Sequence, residues 1–143
     1  MAKISIIYWS GTGNTEEMAN LIYQGITLQN GEAEIKQVSD ASVDDVIYSE
    51  VIVLGCPSMG NEELEDSEME PFISSIEDKV NGKKVALFGS YGWGDGQWMR
   101  DWEKRMETKG ANLIEESLII NGFPDGDEDK NNCIDLGKRI AKA

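Results

Sequence analysis

The segment Ser10-Gly11-Thr12-Gly13-Asn14-Thr15 gathers three hydroxyls, a carboxamide and two glycines into six consecutive residues. Glycine turns the backbone at little steric cost and lets successive N–H groups face one point. A helix starting there adds its positive end. Such a set suits an anionic oxygen, a phosphate above all, bound by neutral donors with no Lys or Arg in the segment. The Gly-Lys-Ser/Thr ending of a nucleotide-hydrolysing loop is missing. Glu16 stands where the dinucleotide fingerprint needs its third glycine. A plain Gly/Ser/Thr turn with an Asn cap is the competing reading of the same six residues.

Two further segments stand out. Ser90-Tyr91-Gly92-Trp93-Gly94-Asp95-Gly96 alternates glycines with aromatic and acidic residues. An exposed Trp between glycines is a flat apolar plate on a backbone that approaches a ligand closely; folded back, it is a core residue. In Cys56-Pro57-Ser58-Met59-Gly60-Asn61, Met59 offers a second apolar face and Gly60-Asn61 a turn whose peptide can flip. Met59 by itself reads as core. The carboxylates of Glu62, Glu63, Glu65, Asp66, Glu68 and Glu70, with no base among them, read as a solvated loop without the ligand spacing of a calcium site. Trp98, Met99, Trp102 and Met106 recur at helical spacing and read as core.

Missing residue types narrow the chemistry. The chain has no histidine, which removes Ser-His-Asp and Cys-His catalysis, His-held zinc or haem, and the usual base near neutrality. Cys56 and Cys133 lie far apart, in no C-x-x-C motif, and are too few for an iron–sulfur cluster. A redox role therefore requires an organic cofactor. Thirteen basic against 27 acidic residues give a net charge of −14. That argues against nucleic acid and membrane surfaces, and for a basic partner or none of particular charge. No apolar run approaches 18 residues. Met1-Ala2-Lys3 leads straight into a strand-like segment, so the sequence predicts a cytoplasmic protein without a secretory leader.

The elements that must position these segments alternate. Lys3–Tyr8 reads as a strand. Residues 14–28 read as a helix with Met18, Leu21, Ile22 and Ile26 on its apolar stripe, capped by Asn14 with Glu17 three residues on, and stopped by Asn30-Gly31. Residues 33–38 alternate as a half-exposed strand and 43–48 read as a short helix. Val51–Leu54 and Val85–Phe88 are continuous apolar runs, as in strands buried on both faces. Helices are expected at about 69–80, 96–109 and 128–141, with an interrupted last strand at Leu113-Ile114 and Leu118–Ile120. The length fits one domain over residues 1–143. Five β units alternating with helices predict a doubly wound α/β sandwich of three layers around a parallel sheet. Ligands of such sheets sit beyond the carboxyl ends of the strands, where all three segments fall.

In that order and at those strand ends, the three loops make the chain resemble a flavodoxin of the short-chain type over essentially its whole length. The resemblance implies a five-stranded parallel sheet of order 2-1-3-4-5, for which flavodoxins are the reference example, with FMN at the switch point. It implies that Ser10, Thr12, Asn14 and Thr15 hold the FMN phosphate together with the backbone of Gly11 and Gly13. Met59 and Trp93 would sandwich the isoalloxazine, and Glu62 would meet N3. Backbone groups around Gly92 and Gly94 would meet the C2 carbonyl, and Ser90 and Tyr91 would line the ribityl chain and ring. Ser58, Gly60 and Asn61 belong to the same flavin-holding loop. Asn61 replaces an acidic residue common in the family, and Pro57 stiffens the loop's entry.

The function implied is a low-potential one-electron carrier, not an enzyme, shuttling FMN between semiquinone and hydroquinone. It would act as a monomer whose redox partners dock at the flavin edge through basic surfaces. A small FMN-dependent NAD(P)H reductase of quinones or nitro compounds is the alternative on the same fold. A third reading, a flavin-free signalling domain, would need an acidic pocket that Trp9-Ser10 and Gly55-Cys56 do not supply.

Overall fold

In the computed structural model, residues 3–143 are described. The strands are β1 (Ile4–Tyr8), β2 (Ala33–Gln37), β3 (Val51–Gly55), β4 (Lys84–Tyr91), β5 (Asn112–Leu113) and β6 (Leu118–Asn121). The helices are α1 (Asn14–Leu28), α2 (Val43–Ile47), α3 (Met69–Ile76), α4 (Gln97–Thr108) and α5 (Asp127–Ala141). The pairings between these strands are parallel, in the order β2-β1-β3-β4, with β5 and β6 both on the outer side of β4. The last position is one edge strand in two pieces. Val85 pairs with Leu113 and Phe88 with Leu118, so the edge carries surplus residues between two registers. Ile114 still donates its N–H to the Val85 carbonyl at 3.0 Å, and Glu115–Ser117 bulge out beyond it; an edge strand tolerates this because it has only one neighbour. The expected five-position order is therefore the observed one.

Strand alternation divides the core. Val51 and Val53 face the α1/α5 layer, while Ile52 and Leu54 face the layer of α3 and α4. Trp98, Met99, Trp102 and Met106 are buried in that second layer, as their spacing predicts. On the other face α1 and α5 cross almost backbone to backbone. A Cβ on Gly25 would lie 2.0 Å from the Ile134 carbonyl oxygen, and one on Gly137 would lie 2.0 Å from that of Ile22. Helix α3 is shorter than expected. It ends at Ile76, where the Lys79 N–H turns back to the Ile76 carbonyl at 2.8 Å. Among the described residues no helix is long and apolar enough to cross a membrane.

Candidate functional site

β1, β3, β4 and β6 all end at one rim of the sheet, and the loops that leave them enclose a cleft of about 260 Å³. Its floor comes from Gly11, Thr12 and Asn14 of the first loop. One wall is Pro57, Ser58 and Met59; the other is Ser90, Tyr91 and Gly92. Trp9 and Gly122 complete it.

The first loop gathers hydroxyls and backbone N–H groups at the start of α1. Gly13, in the left-handed region at φ 99°, is the N-cap of α1. The sequence pointed to Asn14 as the cap; instead Asn14 is the first helical residue, and the Ser10 hydroxyl oxygen does the capping. It accepts the N–H groups of Gly13 and Glu16, both at 3.2 Å. Ser10 keeps its own O–H to donate. The N–H groups of Asn14 and Thr15 lie in the first turn and have no intrahelical acceptor. Together with the exposed Thr12 hydroxyl they present neutral donors on a positive helix end. Thr15 itself is buried. Its hydroxyl shares a 2.8 Å hydrogen bond with that of Ser90 and accepts the Ser90 N–H at 3.4 Å, tying the first loop to the end of β4.

The second loop extends the pairing of β3 beyond its end. The N–H groups of Cys56 and Ser58 donate to the carbonyls of Phe88 and Ser90, at 3.1 and 3.0 Å. The chain then folds into a tight turn closed by two bonds between Met59 and Glu63, at 2.9 and 2.8 Å. Gly60 and Glu62 in this turn have φ of 52° and 58°. Met59 is 37% exposed at the mouth of the cleft, not in the core that its type alone suggests, because the turn lifts it off β3.

The third loop leaves Trp93 62% exposed, the plate-like disposition rather than the folded-back one. Gly94 is at φ 86°, and a Cβ there would fall 1.7 Å from Oε1 of Glu62. That oxygen accepts the Asp95 N–H at 3.1 Å. Glu62 thus bridges the second and third loops. Tyr91 packs its ring against Trp98, with centroids 5.7 Å apart.

The acidic run is not uniformly solvated as its composition suggests. Glu65 is only 5% exposed, and its carboxylate accepts the N–H groups of Ser67, Glu68 and Met69 at 2.8, 2.7 and 2.9 Å, together with the Ser67 hydroxyl. It caps α3 from outside the helix. Burial pushes its carboxyl up, but the Ser67 hydroxyl and the three N–H groups outweigh this and hold it below the ordinary range. Glu70 is also engaged, by two nitrogens of Arg105 at 2.7 and 2.6 Å. Burial pushes the Cys56 thiol, beside the Glu65 N–H, up to about 12, which makes it unreactive.

Of the expected site residues, Gly11, Thr12, Asn14, Ser58, Met59, Ser90, Tyr91 and Gly92 line the cleft directly. Ser10, Gly13 and Thr15 shape its first loop from behind. Gly60 lines an adjoining cavity, Glu62 and Gly94 form the junction between loops, and Trp93 and Asn61 are exposed nearby in sequence. Sequence reasoning missed Trp9 and Gly122. Trp9 lies against Gly11 and donates from Nε1 to Glu68 at 3.2 Å. Gly122, at φ 76°, donates its N–H to the Tyr91 carbonyl at 2.9 Å. A bulky aromatic following a β1 apolar run, and a glycine directly after the last strand, were the available signals.

The family model described as Flavodoxin matches residues 6–135. The flavodoxin of Clostridium beijerinckii is 51% identical over 138 residues, covering 96% of this chain and 99% of its own. That of Megasphaera elsdenii is 49% identical, covering 98% and 99%. The solution structure of the two-electron reduced Megasphaera elsdenii protein superposes with a TM-score of 0.90, over 98% of this chain and 99% of that one. Sheet order, loop geometry and these likenesses agree, and the chain belongs to the flavodoxin family, electron-transfer proteins that bind FMN.

Proposed function

We propose that the cleft holds FMN with its phosphate at the start of α1 and its ring between Met59 and Trp93, and that the protein carries single electrons between redox proteins. The observation that carries this reading is the first loop, where Ser10 and the exposed Thr12 stand at the start of α1 with no Lys or Arg among residues 10–15. A phosphate monoester fits such a donor set, because charge-assisted hydrogen bonds to a dianion replace a salt bridge. FMN when bound supplies one-electron redox chemistry that no side chain here offers. The protein's part is to bind and orient. Ser10, Thr12, Asn14 and Thr15, with Gly11 and Gly13, take the phosphate end. Ser58, Ser90 and Tyr91 line the middle. Gly60, Asn61, Glu62, Gly92 and Gly94 border the ring. A reductase on the same fold is disfavoured, since the relatives at 51% and 49% identity are flavodoxins.

Partners approach the rim where exposed Asp66, Glu68, Asp125, Asp127 and Glu128 lie. With a net charge of −14, the field selects basic docking surfaces, and electron-transfer rates fall as salt rises. The protein acts as a monomer in the cytoplasm; its free, buried Cys56 and Cys133 suit a reducing compartment. Titration of the apoprotein with FMN and with riboflavin is the test. FMN binds more tightly, and Thr12→Ala narrows the difference by weakening FMN alone. Equal affinity of the wild-type protein for the two flavins would overturn the reading.

A further inference from the structure

Asp95 is held from both sides. Its N–H donates to Glu62 at 3.1 Å. Its carbonyl accepts Nη1 of Arg100 at 3.0 Å, and its Oδ1 accepts Nη2 of the same guanidinium at 2.9 Å. Nη2 also reaches Oε1 of Gln97 at 2.9 Å, and Gln97 donates to Asp101 at 2.8 Å, so the fork is braced on the first turn of α4. The backbone around Asp95 has little stiffness of its own. Gly94 and Gly96 flank it at φ 86° and 96°, and glycine has the largest conformational freedom to lose. The planar guanidinium, with donors in a fixed fork, is suited to removing that freedom in a way that a lysine point charge is not. Arg100 and Asp95 are 52% and 81% exposed, so the pair contributes little to global stability. Its effect is local.

We propose that Arg100 is a positioning residue for the flavin site: by gripping Asp95 it sets the third loop on Glu62 and so fixes the second and third loops relative to each other. This rests on the cleft being the flavin site. Pre-set loops lose less freedom when a ligand is bound, so the grip contributes to affinity without touching the ligand. Because it acts on the loops that border the ring and not on the phosphate cradle, its loss weakens FMN and riboflavin equally.

The test compares Arg100→Lys, which keeps the charge but loses the fork, and Arg100→Gln with the wild-type protein. Amide hydrogen exchange in the apoprotein reads the clamp directly. The Asp95 amide should exchange about threefold or more faster in both variants, while Leu87 in β4 and the urea midpoint stay unchanged. Dissociation constants for FMN and riboflavin should both rise by about threefold or more, leaving their ratio constant. Unchanged Asp95 exchange, wild-type affinity in Arg100→Lys, or faster exchange with unchanged affinity would each overturn the proposal. Failure of the wild-type apoprotein to bind FMN would overturn the parent reading instead, and the exchange measurement judges the clamp independently of it.

Discussion

Glu62 and Asp95 lie 33 residues apart, yet the carboxylate of the first accepts the backbone N–H of the second at 3.1 Å. The contact exists because Gly94 has no side chain, since a Cβ would sit 1.7 Å from the same carboxylate oxygen. A residue in the left-handed region, a carboxylate and an amide thus form one joint between the two loops that border the proposed ring site.

Gly94→Ala tests that joint. The methyl group both strains a backbone at φ 86° and drives the Glu62 carboxylate away. The conformational part costs about 1–2 kcal/mol of apoprotein stability. The lost joint raises the FMN dissociation constant by about tenfold or more, which corresponds to about 1.4 kcal/mol. Fluorescence titration and urea unfolding measure the two separately. A tenfold loss of affinity larger than the stability change explains is the expected pattern.

Glu65→Gln probes a buried cap. The carboxylate accepts three N–H groups and a hydroxyl, and an amide in its place turns donors toward donors. Leaving buried partners unsatisfied costs about 1–3 kcal/mol at pH 7. The sign of the pH dependence follows from the lowered pKa of Glu65. Its contribution is complete above the unfolded value of about 4.3 and is lost as pH falls through the lower folded value. The stability difference between wild type and variant, from urea midpoints at a series of pH values, should therefore shrink in acid and be flat above about pH 5.

These features separate what the sequence makes legible from what it hides. Val51–Leu54 and Val85–Phe88 announce buried parallel strands because both faces must be apolar. The three loops are legible because glycines and hydroxyls directly after such strands have few structural uses. Glu65 is not legible, since nothing in its type separates it from Glu62, Glu63 and Glu68; only the path of the chain folds it over the start of α3. Ser10 escapes for a related reason. It caps an N–H six residues away, across a loop, where capping patterns are local. The edge bulge at Glu115–Ser117 shows in sequence only as an interruption, because its register depends on β4.

Gly137→Ala addresses the helix crossing that looks in sequence like two weak helix positions. Alanine favours an isolated helix by about 1 kcal/mol over glycine. Here its Cβ meets the Ile22 carbonyl at 2.0 Å and the Ile26 nitrogen at 2.9 Å, backbone atoms that cannot rotate away. Overpacking of this kind costs about 1–3 kcal/mol, so the net change is destabilising. Gly92→Ala is the control, as nothing lies within 4 Å of that position and its φ lies outside the left-handed region. Its urea midpoint should match wild type, while that of Gly137→Ala falls.

Gly60→Val tests conformation alone. Gly60 has φ of 52°, and nothing lies within 4 Å of the position a Cβ would take, so the β-carbon itself meets no neighbour. The turn cannot escape the strain at its ends, because the Met59 and Glu63 backbone bonds of 2.9 and 2.8 Å pin them. A β-branched residue held in the left-handed region costs about 1–2 kcal/mol, and it hinders any flip of the peptide between Gly60 and Asn61. A carbonyl presented to the flavin N5 favours the form that carries a proton there, and oxidised flavin carries none. The strain at φ 52° is shared by the apoprotein and the oxidised complex and cancels in the affinity for oxidised FMN, whereas the hindered flip penalises the reduced states alone. In a reductive titration followed in the visible spectrum, the fraction of flavin halted after one electron should drop in Gly60→Val. It should drop less in Gly60→Ala, while the affinity for oxidised FMN stays within about twofold, under 0.5 kcal/mol. An unchanged one-electron fraction in Gly60→Val would assign the N5 proton to another acceptor, and would leave the turn's left-handed residue as a requirement of folding alone.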